Sequence, residues 1–254
     1  MMKRWGAVAL YLLCVSLAPI AAPFDPMRTQ PEVALQPPST TYLLGTDLLG
    51  RDVLSRALYG GQHTLLIAGL AAISAFTLGC LLGAASRLYG TRFDQVLQAL
   101  LNAILAIPSL VFALTILTLV GSGVQSVIIA ISIMLVAPCA RLVRAALIEV
   151  YAAPYVEAAV GLGIGRARLI LRHLLPNIWP LLASYFVVMF AYSMLNAAAL
   201  SFLGLGPPPG TPDWGIMLAE GRLAFRSAPW VALAPGLGIT LGVLLLNWAA
   251  ASSR

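Results

Sequence analysis

Long segments without a charged side chain dominate this sequence. The run 63–86 contains no Asp, Glu, Lys or Arg, and neither do 177–203 and 228–251. Two further apolar runs, 93–120 and 124–147, carry charge only near one end, at Asp94 and at Arg141 and Arg144. A helix that crosses the hydrocarbon core of a bilayer needs about 20 consecutive apolar residues. Only 9% of the residues are charged, whereas soluble domains contain about 25%. These features predict an all-α integral membrane protein.

A further uncharged run, 5–24, follows two basic residues near the amino terminus. Two interpretations are open. The small residues from Ala18 to Ala22 resemble the cleavage site of a secretory signal peptide. The run is nearly long enough to span a membrane and exceeds the usual signal-peptide core, so we favour a retained first helix. The chain is then predicted to have six transmembrane helices.

The basic residues predict the orientation of these helices, because cytoplasmic loops carry an excess of Lys and Arg. With a cytoplasmic amino terminus, the cytoplasmic basic residues are Lys3, Arg4, Arg87, Arg92, Arg141, Arg144, Arg166, Arg168, Arg172 and Arg254. The external basic residues are Arg28, Arg51, Arg56, Arg222 and Arg226. This orientation places ten of the 15 Lys and Arg residues inside and is favoured over the inverted one.

The first external segment has two parts. The stretch 25–41 is rich in proline and is expected to be extended. After it, Val53, Leu54, Ala57 and Leu58 recur at helical spacing, with polar residues between them. This pattern predicts a short amphipathic helix on the membrane surface.

The longest polar interruption, 141–176, falls on the predicted cytoplasmic side. It contains Glu157-Ala158-Ala159, in which small residues favour a helix and the acidic residue can stabilise its amino-terminal end. Gly163 follows six residues after Glu157. With its neighbouring glycines, it is expected to end this helix and to let a partner surface approach closely.

Basic residues follow this short helix. Arg166, Arg168 and Arg172 suit contact with lipid headgroups or with a partner protein, and the sequence favours neither. His173 to Pro176 is predicted to mark the return into the membrane, with Pro176 near the first turn of the next helix.

No catalytic or metal-binding pattern is visible. His63 and His173 lie at opposite ends of the predicted fold, and neither has an obvious carboxylate partner. The three cysteines lie in apolar runs without metal-ligand spacing, and no nucleic-acid-binding motif occurs. The helix cores lack Asp, Glu, Lys and Arg, which argues against a proton-coupled carrier.

Uncharged amides are the polar candidates inside the membrane. They are Gln95, Gln98, Asn102, Asn196 and Asn247. Such amides most often form hydrogen bonds between helices. Gln98, Asn102 and Asn196 are also candidates for a translocation path.

Five motifs occur in order along most of the chain after Leu43. They are GTDLLGRDVLSRALYG, EAAVGLG, RHLLPN, SFLGLG, and PDWGIMLAEGR followed by APW. In this order they resemble the dipeptide/oligopeptide/nickel ABC importer permease family, and specifically its C-type inner-membrane subunit. The resemblance implies a MetI-like permease fold of six helices, with a cytoplasmic EAA loop that contacts ATPase subunits.

The resemblance also assigns roles to two groups of residues. The ATPase-coupling loop, 148–176, would act through Glu157, Ala158, Ala159, Gly163, Arg166, Arg168, His173 and Pro176. The external family signature would comprise Gly45, Thr46, Asp47, Gly50, Arg51 and Asp52. The chain is accordingly divided into a first transmembrane helix (1–24), an external segment with the interfacial helix (25–62) and a five-helix permease core (63–254).

The family implies a function and a set of partners. A bacterial inner-membrane permease of this kind would import peptides, or a related solute such as a nickel chelate, glutathione or an opine. It would form a heterodimer with a second homologous permease and work with two ATPase subunits and an external substrate-binding protein. ATP and Mg would bind the ATPases, since this chain lacks a GxxxxGK[ST] loop, and it is expected to bind no cofactor. The alternative is a stand-alone secondary transporter or channel.

Overall fold

The structure, a computed structural model, describes residues 2–251, apart from the side chains of residues 2, 3 and 160. In this range the only β-type pairing is an isolated bridge between Thr46 and Asp52. The helices are α1 (Met2–Ser16), α2 (Ala18–Ala21), α3 (Val53–Leu88), α4 (Thr91–Ala106), α5 (Ser109–Val120), α6 (Val124–Tyr151), α7 (Pro154–Gly161), α8 (Arg166–Leu169), α9 (Leu175–Phe202), α10 (Trp214–Leu223) and α11 (Trp230–Ala250). A 3₁₀ turn covers Pro31–Val33, and a π-helical turn, Ile170–Leu174, joins α8 to α9.

Four continuous helical segments are long and apolar enough to cross a bilayer: α3, α6, the joined α8–α9 and α11. The pair α4–α5 qualifies as a fifth only when its two members are taken together. The prediction of an all-α membrane protein is confirmed. The predicted first helix, 5–24, is interrupted after Ser16, and its apolar part, Arg4–Ser16, is shorter than a full span. The count of six spanning helices therefore stays a prediction.

The contacts of α3 show how the chain passes back and forth. A Cβ on Gly79 would meet Cys139, and one on Gly83 would meet Val143, so α3 and α6 run parallel. The intervening α4–α5 pair must therefore return the chain to the end where α3 begins. Small residues at such a crossing let two helix backbones approach closely, which is the main source of stability between helices in lipid.

The α9 helix runs antiparallel to α3. The rings of Phe76 and Trp179 are 6.5 Å apart, and Ser193 Oγ donates to the Ala68 carbonyl oxygen at 2.8 Å. Residues later in α9 therefore contact residues earlier in α3.

The α1 helix runs antiparallel to α11. The Arg4 guanidinium lies 4.9 Å from the centroid of the Trp248 ring, and the Tyr11 hydroxyl donates to the Gly238 carbonyl oxygen at 2.9 Å. The apolar segments therefore alternate in direction along the chain. This alternation separates the two groups of basic residues that the sequence assigns to opposite sides of the membrane.

The predicted amphipathic surface helix is wrong as a separate element. Asp52 caps a single helix that begins at Val53 and continues unbroken to Leu88. Its 36 residues extend about 54 Å at 1.5 Å per residue. Gly60 and Gly61 would weaken an isolated helix, but here the start of α10 packs closely against both.

A proline explains the bend in the third predicted span, 93–120. The residue before Pro108, Ile107, is extended with ψ of 128°, as the proline ring requires. The two helices meet at 94°. The predicted proline kink is confirmed and is large enough to divide the span into α4 and α5.

The polar interruption, 141–176, is more helical than the sequence predicts. The predicted ends of the spanning helices at 147 and 177 are wrong, since α6 continues to Tyr151 and the next apolar span begins at Arg166, after α7. Arg144 lies on α6 and forms a bidentate ion pair with Asp94 of α4, with both N–O distances at 2.6 Å. Pro176 is in the first turn of α9, where its missing N–H is tolerated.

Replacing Gly83 by Ala is expected to destabilise the fold. The new methyl group would lie 2.6 Å from Val143 Cβ and 2.8 Å from the Ala140 carbonyl oxygen, and overpacking of this kind costs about 1–3 kcal/mol. The measurement is the thermal unfolding midpoint of the detergent-solubilised protein. Gly69→Ala is the matched control on the same helix, since its Cβ would meet only Phe190 at 3.8 Å. An equal midpoint for both variants would contradict the close α3–α6 contact.

Candidate functional surfaces

A cluster of ion pairs lies where α3 begins. Arg51 Nε donates to Asp47 Oδ2 at 2.7 Å, and Arg51 Nη2 donates to Glu220 Oε2 at 2.9 Å. Arg56 Nη1 contacts both carboxylates, at 2.8 Å from Glu220 and still closer to Asp47. The arginine side chains are only 4% and 1% exposed. This cluster, Asp47–Arg51–Arg56–Glu220, lies on the side that the sequence predicts to be external, and we call it the external ion cluster. It ties the loop before α3 to α10.

The predicted family signature shapes that loop. Gly45 and Gly50 have φ of +72° and +70°, and a Cβ on either would overlap a backbone carbonyl of the segment 30–36. Thr46 Oγ1 accepts the Gln36 N–H at 2.8 Å. The structure thus brings together all six signature residues, Gly45, Thr46, Asp47, Gly50, Arg51 and Asp52.

Two members of the external ion cluster do not follow from the sequence pattern. Helical spacing assigns Arg56 to the polar face of a surface helix, and no role is predicted for Glu220. Their pairing spans 164 positions, so no local pattern reveals it. The available signal is that Glu220 is the one acidic residue of α10.

Opposing effects act on the Asp47 carboxyl. Burial raises its pKa, but the charges of Arg56 and Arg51 and two backbone N–H donors together outweigh burial. The net pKa of Asp47 is therefore lowered. Its carboxylate form stabilises the native state above the ordinary aspartate pKa of about 3.9, and this stabilisation is lost as the pH falls through the lower native value.

The α7 helix carries the predicted coupling sequence. Val156 and Ala159 are buried in one apolar cluster with residues from the ends of α6 and α8. Glu157 and Ala158 face outward and are exposed. One face of α7 is thus fixed to the helices that enter the membrane, and the opposite face is available to another molecule.

The end of α7 has the geometry of a Schellman turn, as the glycine pattern predicts. Gly163 has φ of +79°, and the Ile164 N–H donates to the Ala159 carbonyl oxygen at 3.2 Å. No described atom lies within 4 Å of the position that a Cβ on Gly163 would take. Leu162 beside it is 84% exposed, so this turn presents an apolar side chain to the surroundings.

The other predicted coupling residues lie on the next helical segment. Arg166 and Arg168 are exposed on α8, His173 lies in the π turn, and Pro176 lies in the first turn of α9. The predicted group therefore divides into an α7 surface and a separate stripe along α8–α9.

The three predicted path residues lie on two different helices. Gln98 and Asn102 are on α4, the first partly buried and the second exposed. Asn196 Nδ2 donates to the Tyr192 carbonyl oxygen of its own helix at 2.8 Å.

A cavity of about 730 Å³ lies between α6, α9 and α11, and most of its lining residues are apolar. We call it the polar cavity after its three polar side chains. Its polar lining residues are Ser184, Tyr185 and Asn247. Ser184 Oγ and Asn247 Nδ2 each donate to a carbonyl oxygen of their own helix at 2.9 Å. Their acceptor atoms remain for another donor. Ser184 and Tyr185 are missed from the sequence because hydroxyl groups in apolar helices follow no distinctive spacing.

Replacing Asp47 by Asn is expected to destabilise the protein strongly at neutral pH. The substitution leaves two buried arginines short of a countercharge, and breaking a buried ion pair in this way costs about 3–5 kcal/mol. The measurement is thermal unfolding between pH 3 and pH 7, with exposed Asp25→Asn as the control. The unfolding midpoints of the native protein and of Asp25→Asn should fall at pH values below about 4. The midpoint of Asp47→Asn, which is already lower at pH 7, should fall much less over the same pH range. Equal midpoints at pH 7 would contradict this role.

Comparison with known proteins places this arrangement in a family. Residues 75–252 match the family model described as "Binding-protein-dependent transport system inner membrane component". A Brucella suis biovar 1 protein, provisionally named as a peptide transport system permease, is 39% identical over 240 residues, covering 93% of this chain and 81% of that protein. The di/tripeptide transport system permease protein DppC of Pseudomonas aeruginosa is 38% identical over 244 residues, covering 94% and 80%.

A solved structure shares the fold. A chain of the MetNI methionine ABC transporter in an inward-facing conformation superposes with a TM-score of 0.63 at 18% identity, covering 79% of this chain and 94% of that chain. The predicted MetI-like architecture is confirmed. The family and its relatives also decide between the predicted permease and the stand-alone transporter. The chain belongs to the binding-protein-dependent transport system inner membrane components, and it is a DppC-like permease subunit of an ABC importer.

Proposed function

We propose that this permease carries short peptides into the cytoplasm. The observation that carries the proposal is identity of 38–39% over at least 93% of the chain to proteins named as peptide and di/tripeptide permeases. The nickel chelate, glutathione and opine that the broader family also suggests have no comparable support.

The polar cavity suits a solute of this kind. The hydroxyl groups of Ser184 and Tyr185 and the amide of Asn247 are uncharged, and a peptide backbone presents matching amide donors and acceptors. Such groups can exchange partners as a solute moves, whereas a fixed charge in a low-dielectric site would hold a counterion strongly. We therefore assign the path to this cavity, where the three polar side chains share one lining of which Asn196 is not a part.

The permease works with separate ATPase subunits and a substrate-binding protein, as its family implies. We infer that two ATPases, which bind ATP and Mg, and a second homologous permease complete the importer. The α4 helix supports the second permease. Exposed Gln95 and Asn102 lie seven residues apart on α4, and polar side chains at membrane depth are normally covered by protein.

We infer that the amino terminus is cytoplasmic in the inner membrane. Ten of the 15 Lys and Arg residues lie on the side that this orientation makes cytoplasmic. The alternating helix directions support the same division. This orientation exposes α7 to the cytoplasm and the external ion cluster to the opposite side.

The ATPase contact is proposed to centre on α7 and its glycine turn, with Glu157, Ala158 and Gly163 at the contact. Leu162 and Tyr155 offer exposed apolar surface, and the open space around Gly163 lets a partner approach the backbone. Arg166 and Arg168 flank this surface.

Replacing Leu162 by Asp is expected to release the ATPase and abolish uptake while the permease stays folded. The side chain is 84% exposed, so its loss removes little packing within this chain. At an interface the new carboxylate would be buried without a partner, which costs several kcal/mol, and each 1.4 kcal/mol lowers affinity about tenfold. The measurement is the amount of ATPase retained on permease extracted from membranes, alongside uptake.

Leu223→Asp is the control, because Leu223 is 75% exposed at the opposite end of the molecule. It should retain the ATPase. Gly163→Ala strains a residue with φ of +79°, whereas Gly165→Ala changes a residue with φ of −63°. The comparison of Gly163→Ala with Gly165→Ala tests whether ATPase binding needs the backbone conformation of the turn, whereas Leu162→Asp tests the apolar side chain. Full ATPase retention by both Leu162→Asp and Gly163→Ala would show that α7 is not the contact.

The complete importer, reconstituted in vesicles, is expected to accumulate a labelled dipeptide only with ATP and the loaded binding protein. This chain has no phosphate-binding loop of its own, so the permease alone should neither hydrolyse ATP nor accumulate the peptide. Replacing the dipeptide by a nickel chelate or glutathione tests the solute class. Uptake of either in place of the dipeptide would overturn the assignment.

A further inference from the structure

An open groove runs between α3 and the α8–α9 segment on the outside of the helix bundle. Its volume is about 580 Å³, and its walls are almost entirely apolar. The walls are formed by Phe76, Cys80, Ala84, Leu171, Leu175 and Trp179. This groove is separate from the α7 surface and from the polar cavity.

Two arginines extend the same helical stripe beyond the apolar walls. Arg168, Arg172, Pro176 and Trp179 follow one another at spacings of four, four and three, which places them on one side of the helix. All four are exposed. Within the described part of the chain, neither arginine forms an ion pair.

The arginines lie at one end of the groove. Because α3 and α9 are antiparallel, Leu171 is near Ala84, and Trp179 is near Phe76. Arg87 lies one turn beyond Ala84, but its guanidinium lies over the Tyr151 ring, 5.6 Å from the centroid, and is not part of the groove.

The length of the groove matches one leaflet of a bilayer. From Leu171 to Leu182 the helix extends about 16 Å at 1.5 Å per residue. Half of a hydrocarbon core of about 30 Å is about 15 Å. With the apolar walls at the depth of the acyl chains, the guanidinium groups lie at the level of the lipid phosphates.

We propose that this groove binds an anionic phospholipid, with an acyl chain along its walls and the headgroup phosphate at Arg168 and Arg172. Arginine binds phosphate with two parallel hydrogen bonds, and basic pockets between membrane helices bind anionic headgroups. A zwitterionic lipid brings its own ammonium group next to the phosphate, so two unpaired arginines favour the anionic lipid.

The size of the groove argues for a lipid chain over a protein helix. A helix segment 16 Å long and 10 Å wide occupies about 1,250 Å³, which exceeds the volume of about 580 Å³. A single acyl chain is narrower. A second permease helix covering this face would leave both arginines without countercharge, unless it supplied acidic residues.

The test uses the assembled importer in nanodiscs that contain phosphatidylglycerol and phosphatidylethanolamine. A trace of either lipid carries a photoactivatable acyl chain, and labelled peptides are mapped by mass spectrometry. Phosphatidylglycerol should label the groove segments 76–84 and 171–182 at least fivefold more than phosphatidylethanolamine, since each nearby cation contributes roughly a fivefold preference. This comparison of the two lipids uses the wild-type importer and does not depend on any variant.

Variants test the role of the two arginines. Arg168→Gln with Arg172→Gln should reduce phosphatidylglycerol labelling to the phosphatidylethanolamine level, and the double lysine variant should keep much of the preference. Arg222→Gln with Arg226→Gln is the matched control, because these exposed arginines lie at the other end of the molecule. It should leave groove labelling unchanged.

Three results would overturn the proposal. Equal labelling by the two lipids would show a groove without headgroup selectivity. Absence of groove labelling by both lipids would show that another subunit covers it. Unchanged selectivity in the double glutamine variant would show that these arginines do not bind the phosphate.

Discussion

The close contact between α3 and α6 is the interaction on which the other elements depend. Within lipid, helices gain little from apolar burial, since lipid chains are equally apolar, and their association relies on dense packing. Gly79 and Gly83 permit that packing against Cys139 and Val143. Because α3 and α6 run parallel, the chain between them must return across the fold. The bend at Pro108 and the bidentate pair between Asp94 and Arg144 shape that return.

Much of this architecture could be predicted from the sequence. Uncharged runs locate the apolar helices, and the predicted final helix at 228–251 closely matches α11. The continuation of α3 from Val53 through Gly60 and Gly61 could not be predicted, because the contacts of these glycines with Asp213, Trp214 and Val15 come from distant parts of the chain. The pairing of Arg56 with Glu220 is likewise a tertiary property. By contrast, the positive φ of Gly163 follows from local turn chemistry, which a short sequence window contains.

The position of α7 explains how a force from an ATPase could reach the transmembrane helices. Its buried residues Val156 and Ala159 share a cluster with Leu147 of α6 and Leu169 of α8. A well-packed cluster transmits displacement because it has few voids to absorb it. The polar cavity is lined by α6, by α9, which continues from α8, and by α11. Movement at α7 is therefore connected to the proposed path through contiguous packing.

The external ion cluster has a mechanical consequence for α3. Arg56 on α3 is joined to Glu220 on α10, so the outer end of α3 and the external helix form one rigid piece. A tilt of roughly 5° in a rod about 54 Å long displaces its far end by about 5 Å. A small rotation of α3 within the bilayer therefore produces a larger displacement at the end that is joined to α10, and α10 moves with that end.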